Sequence, residues 1–87
     1  MKIQIESHTL ERAEERGVSA EEIEDVINTG LPTSAKSGRL CKAKIYPYRR
    51  KRLGKYYKQK RVEVIYTIEI NEIVTVTVYA FYGEWKD

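Results

Sequence analysis

The chain has 87 residues, 41% apolar and 33% charged, and a formal net charge of +3. This length supports one compact domain with a two-layer core, and the composition excludes a disordered chain. No apolar run approaches the roughly 20 residues that span a bilayer, the opening residues lack a secretory apolar stretch, and the lone Cys41 can form neither an internal disulfide nor a zinc site, so a cytoplasmic protein that makes no membrane contact is expected.

Ile3 and Ile5 alternate with Lys2, Gln4 and Glu6, the period of a short half-buried strand. Ser7 is placed to cap a helix running to about Arg16, and Gly17 breaks it. Ser19-Ala20-Glu21-Glu22 forms a capping box, and Ile23, Val26 and Ile27 make the apolar stripe of a second helix. Gly30 stops that helix and Pro32 prevents its resumption. Residues 31–39 are small and polar and predict a connecting loop. Strand character returns from Leu40 to Tyr48, resumes from about Tyr56 or Arg61 to Ile70 after the turn-like Arg50-Lys51-Arg52-Leu53-Gly54, and ends with Ile73 to Tyr82.

In the last hairpin, a two-residue Asn71-Glu72 turn would set Val74, Val76 and Val78 beside Glu63 and Glu69. A three-residue loop, Ile70 to Glu72, instead sets Val62, Val64, Tyr66 and Ile68 beside Val74, Val76, Val78 and Ala80. A slip of one residue exchanges the two faces of a strand, so the apolar-matched register is expected. The opposite face then carries Glu63, Ile65, Thr67, Thr75, Thr77, Tyr79 and Phe81. The predicted fold is a two-layer α+β domain, β-α-α-β-β-β, with two N-terminal helices on an antiparallel sheet of three strands.

Charge is sharply segregated. Residues 1–30 carry three Lys/Arg and eight Asp/Glu, residues 31–61 carry twelve Lys/Arg and no acid, and residues 62–87 carry one Lys and five Asp/Glu. Within the basic segment Lys42, Lys44, Arg49, Arg50, Arg52 and Arg61 are interleaved with aromatics that include Tyr56 and Tyr57. Cations neutralise phosphates and release counterions, and aromatic rings offer stacking surfaces to unpaired bases. This pattern favours a nucleic-acid partner over a merely solvated hairpin.

On the first helix His8, Arg12 and Arg16 are spaced four apart and share one narrow stripe. A histidine near a helix N-terminus and beside an arginine is held toward its neutral form and can serve as a general base. The arginines could clamp a phosphate. The competing reading is a surface helix in which Arg12 and Arg16 pair with Glu11 or Glu15, and spacing alone slightly favours it. One histidine and one cysteine leave little from which to build a metal centre, so no metal and no other cofactor are expected.

The stretch His8-Thr9-Leu10-Glu11-Arg12-Ala13-Glu14-Glu15-Arg16-Gly17-Val18-Ser19 resembles the His-x-x-x-Arg-x-x-x-Arg-Gly motif of a family of small prokaryotic proteins grouped with the RelE/ParE-like toxins and the metal-independent ribonuclease fold that includes barnase. The closing Glu72-to-Trp85 segment is similar to that family's last strand. The resemblance implies a single RelE-like domain over residues 1–87 and a toxin-type endoribonuclease acting on RNA, including ribosome-bound mRNA, with a cognate antitoxin as partner. It maps catalytic roles onto His8, Arg12, Arg16 and Tyr79, and RNA contact onto Thr77 and, by location, Lys42, Lys44 and Arg61. In that scheme His8 or a nearby glutamate takes the 2′-OH proton, Arg12, Arg16 and Arg61 hold the phosphate, and Tyr79 assists the leaving oxygen. The alternative is a non-catalytic RNA- or DNA-binding module that needs only the basic segment and its tyrosines.

Overall fold

The computed structural model describes residues 1–86. The elements in order are β1 (Lys2–Gln4), α1 (Ser7–Arg16), α2 (Ala20–Thr29), β2 (Leu31–Thr33), β3 (Leu40–Arg52), β4 (Lys55–Glu69) and β5 (Glu72–Gly83). They form an α+β domain in which two helices pack on one face of a five-stranded sheet of order β1-β5-β4-β3-β2. β1 runs parallel to β5 and the other pairs are antiparallel, so the sheet is mixed rather than purely antiparallel. Two short edge strands account for the difference from the three predicted. Leu31-Pro32-Thr33 opens the stretch 31–39 expected to be a loop but pairs with Ala43, Lys42 and Cys41. β1 and β2 lie at opposite edges of the sheet, so the two helices between them must cross its face.

That crossing builds the core. Val62, Val64, Tyr66 and Val78 of the sheet bury themselves against Ala13, Val18, Ile23, Val26 and Ile27 of the helical layer. Ile23 and Val26 are fully enclosed, and truncating Ile23 to alanine would cost about 2–5 kcal/mol. The capping box of α2 forms as predicted, with the Ser19 hydroxyl accepting from the Glu22 N–H and the Glu22 carboxylate accepting from the Ser19 N–H. α1 begins differently. Glu6, not Ser7, is its N-cap, and no side chain caps it. The Glu6 N–H donates to Thr75 Oγ1, and Thr75 donates in turn to the buried Thr9 hydroxyl, so this helix start is fastened to β5 by tertiary contacts.

The β4–β5 pairing contains a two-residue turn and a bulge, not the expected three-residue loop from Ile70 to Glu72. Glu69 pairs with Glu72 around Ile70-Asn71, and both turn residues have positive φ, 47° and 61°. The register then shifts between Ile65 and Tyr66, because Tyr66 faces Thr75 while Ile65 faces Thr77 and Val76 is left over. Beyond the bulge Val62 pairs with Ala80 and Val64 with Val78, the apolar-matched register expected from the sequence. The extra residue lets Thr75 face the core near the turn while Val78 still does so further along.

Two glycines sit where a side chain could not. Gly17 ends α1 with φ +76°, and a Cβ there would lie 2.6 Å from the Tyr82 hydroxyl. Gly30 ends α2 against backbone, its would-be Cβ 2.5 Å from the Val26 carbonyl oxygen and 2.9 Å from that of Ala43.

Candidate nucleic-acid interface

Among the described residues, β5 past Val74 has no strand neighbour on its outer side, because β1 pairs only with Glu72 to Val74. Its exposed carbonyls need donors. The α1 stripe supplies them. His8 Nε2 lies 2.6 Å from the Val76 carbonyl oxygen, and Arg16 Nη1 donates to the Val78 carbonyl at 2.7 Å. A carbonyl only accepts, so Nε2 carries the proton in this contact. The Arg16 guanidinium also lies 5.0 Å from the Tyr79 ring centre. Arg12 sits between them on the exposed side, 3.5 Å from the Glu15 carboxylate. Thus α1 closes the sheet edge with His8 and Arg16, two of the three residues of its stripe.

The C-terminus of α1 is a second point of closure. Its last carbonyls lack partners within the helix and carry the negative end of the dipole. Three donors from the sheet meet them in succession: Arg52 donates to the Glu15 carbonyl, Tyr82 to that of Arg16, and Lys60 to that of Gly17, at 2.8, 2.6 and 2.9 Å. Lys60 is buried, 4% exposed, and also bonds the Glu22 carboxylate. Burial alone would raise the Glu22 pKa, but the Lys60 and Ser19 hydrogen bonds outweigh it and hold the carboxyl below its usual value. Burial pushes the Tyr82 phenol up, which keeps it a donor.

A third group of cations holds α2. Lys42 donates to the Ile27 carbonyl, and Lys44 and Tyr46 both donate to one oxygen of Asp25, at 2.7 and 2.6 Å. The bonds from Lys44 and then Tyr46 keep Asp25 acidic, while burial and the Asp25 contact push the Tyr46 phenol upward.

On the opposite sheet face, away from the helices, Arg61 bonds Glu63 at 3.0 Å, and their cross-strand neighbours are Phe81 and Tyr79. The Tyr79 and Phe81 rings stack with centres 6.4 Å apart. Thr77 lies next along β5, opposite Ile65.

The predicted residues therefore divide. His8, Arg16 and Tyr79 gather at the β5 edge, with Arg12 beside them. Lys42, Lys44, Arg52 and Arg61 are occupied by protein partners. Arg49, Arg50, Lys51 and Lys55 have no polar side-chain or ion-pair partner among the described residues. Arg50 lies 4.6 Å from the Tyr48 ring centre and Lys55 5.6 Å from that of Tyr57. Tyr56 is 53% exposed and Leu53, at the hairpin tip, 96%. At the root of this hairpin Ile45, Pro47, Arg49, Tyr56, Lys58, Gln59, Glu84 and Trp85 surround a cleft of about 470 Å³. Trp85, Gln59 and Pro47 are lining residues that the sequence did not single out. A lone tryptophan just past a final strand is the signal that could have flagged one of them.

A family model described as "Domain of unknown function (DUF4258)" matches residues 5–80. The chain belongs to this DUF4258 family. The DUF4258 match takes in both helices and most of the sheet, and Trp85 lies beyond it. No curated protein and no solved structure matches the chain. Among the described residues no three His, Cys, Asp or Glu side chains are grouped to hold a metal, and no helix is long and apolar enough to cross a membrane.

Proposed function

We propose that this DUF4258 domain binds single-stranded nucleic acid through the β3–β4 hairpin, as a non-catalytic module. The observation that carries the reading is the distribution of unpaired cations. Many of the basic residues fasten helices to the sheet, whereas Arg49, Arg50, Lys51 and Lys55 project from one hairpin beside the exposed Tyr56. Guanidinium and ammonium groups with no ion-pair partner among the described residues can replace counterions on phosphates. Rings among them select unpaired bases, whose faces a duplex hides. Fluorescence anisotropy with a labelled oligonucleotide, titrated across salt concentrations, tests this directly. Affinity should fall steeply with salt, and reversing Arg50 and Lys51 to glutamate should flatten the slope. Salt-insensitive binding, or none, would sink the reading.

A second reading rests on the open sheet face. Arg61 and Glu63 form a half-buried pair flanked by Tyr79 and Phe81, and Arg16 reaches Tyr79 around the β5 edge. A carboxylate beside an arginine and a phenol could serve metal-independent RNA cleavage, with Glu63 or His8 Nδ1 as base, Arg61 on the phosphate and Tyr79 near the leaving oxygen. RNA that stays intact with the protein in EDTA, or is cut equally by Glu63→Gln and His8→Ala, would remove this reading.

A further inference from the structure

We propose that the cleft between Trp85 and the root of the β3–β4 hairpin is a subsite for one unpaired nucleotide, its base stacked on an aromatic ring and its phosphate held by Arg49. The inference rests on the nucleic-acid reading and gives it a place. Four observations converge on the cleft. Its volume, about 470 Å³, falls in the range of small-ligand sites, about 300–1,000 Å³. It contains two aromatic side chains, Tyr56 and Trp85, from segments far apart in sequence.

Trp85 is held in place. Its backbone N–H donates to Gln59 Oε1 at 2.6 Å, and its ring atoms come within 3.6 Å of where a Gly83 Cβ would stand. A donor facing Oε1 fixes the orientation of the amide, so the Gln59 NH₂, at the edge of the cleft, is left without a partner among the described residues. An amide donor beside a stacking surface suits the acceptor edge of a base.

Arg49 is the fourth observation. β3 bulges between Pro47 and Arg50, and Arg49 takes φ +53°, a left-handed conformation that a side chain makes costly. A bulge of this kind re-aims a side chain, and here it leaves an unpaired guanidinium on the wall of the cleft. Lys58 is also on that wall, in an exposed pair with Glu84 at 3.2 Å, which solvent and salt screen and a phosphate could displace.

Trp85 is the chain's one tryptophan, so its emission reports on this cleft alone. Oligouridylate and oligoadenylate of about 12 nucleotides should quench it saturably. Inorganic polyphosphate should compete for binding without quenching. Trp85→Ala should weaken oligonucleotide binding about tenfold, with Trp85→Phe retaining most of the affinity and both variants keeping the parent circular dichroism spectrum. If the oligonucleotides bind by anisotropy while Trp85 emission is unmoved and Trp85→Ala binds as tightly as the parent, the subsite is overturned and hairpin binding stands. Equal quenching by polyphosphate would overturn it too, since no base is then involved. If oligonucleotides fail to bind but AMP or UMP quenches saturably, the subsite stands and the nucleic-acid reading falls. Silence from oligonucleotides and nucleotides alike removes both.

Discussion

β4 ends in two hairpins built alike and charged oppositely. At one end Arg52 pairs with Lys55 around Leu53-Gly54, and at the other Glu69 pairs with Glu72 around Ile70-Asn71. Both loops have two residues with positive φ, the geometry that matches strand twist, and both place an almost fully exposed aliphatic residue first. The first hairpin is flanked by cations with no acid among residues 31–61, and the second by glutamates. Backbone geometry is thus shared, and only side-chain chemistry separates a surface suited to phosphates from one that repels them. The cationic hairpin is itself divided, with Lys60 and Arg52 spent on the C-terminus of α1 while Arg49, Arg50, Lys51 and Lys55 remain available.

The largest expected effect tests that division. Lys60→Met would strand the Gly17 carbonyl and the Glu22 carboxylate, destabilising the fold by about 2–3 kcal/mol in urea titrations, whereas Lys58→Met, in an exposed pair, should cost at most about 0.5 kcal/mol. Equal costs would mean that the buried lysine is no more structural than the exposed one. Next comes the contrast between hairpins. Reversing Arg50 and Lys51 to glutamate should reduce oligonucleotide affinity about tenfold or more at low salt and lower the salt slope by about two. The mirror change, Glu69 and Glu72 to lysine, should leave affinity unchanged or raise it. A loss from the mirror change would place binding on the wrong hairpin.

Acid offers a third way to break the comparison. Glu22 and Asp25 have folded-state pKa values below their ordinary 4.5 and 3.8. A depressed carboxyl contributes stability that is present above its unfolded value and lost as pH falls through the folded one. Urea midpoints should therefore hold steady down to about pH 4.5 and then decline. Glu22→Gln should blunt the decline, while Glu69→Gln, in the acidic hairpin, should leave it intact. A flat profile through this range would deny the carboxylates their role in holding the helices to the sheet.

Much of this architecture is legible in residue order, and what is not has a common cause. The capping box, the Ile23/Val26/Ile27 stripe and the match of Val62 and Val64 with Val78 and Ala80 follow from local periodicity. β2 escapes notice because Leu31-Pro32-Thr33 is too short for any periodicity, contains a proline, and pairs only when β3 is already present. The Val76 bulge is equally silent, since it settles a conflict between a turn after Glu69 and a core that needs Val78. The site is harder still. His8 and Arg16 are visible as a stripe, but their bonds to β5 carbonyls depend on where β1 stops pairing. A count of cations cannot tell Lys60, sealed beneath α1, from Lys55 in solvent. Gln59 and Trp85 meet only through the fold.

The smallest effect concerns the two turns themselves. Ile70 is β-branched with φ +47°, where its side chain crowds the backbone, and it is 98% exposed, so no burial offsets the strain. Leu53, at φ +52°, is unbranched at Cβ and followed by Gly54, which adopts the second left-handed position without cost. Asparagine tolerates this conformation better than either aliphatic residue. Ile70→Asn should raise stability by about 0.5–1 kcal/mol and Leu53→Asn by about half as much, read from urea midpoints. Neither change touches a cation, so oligonucleotide affinity should hold for both. Should Leu53→Asn weaken binding while Ile70→Asn does not, the aliphatic tip of the cationic hairpin is itself a contact, and the strain it bears is the cost of presenting an apolar side chain beside the phosphates.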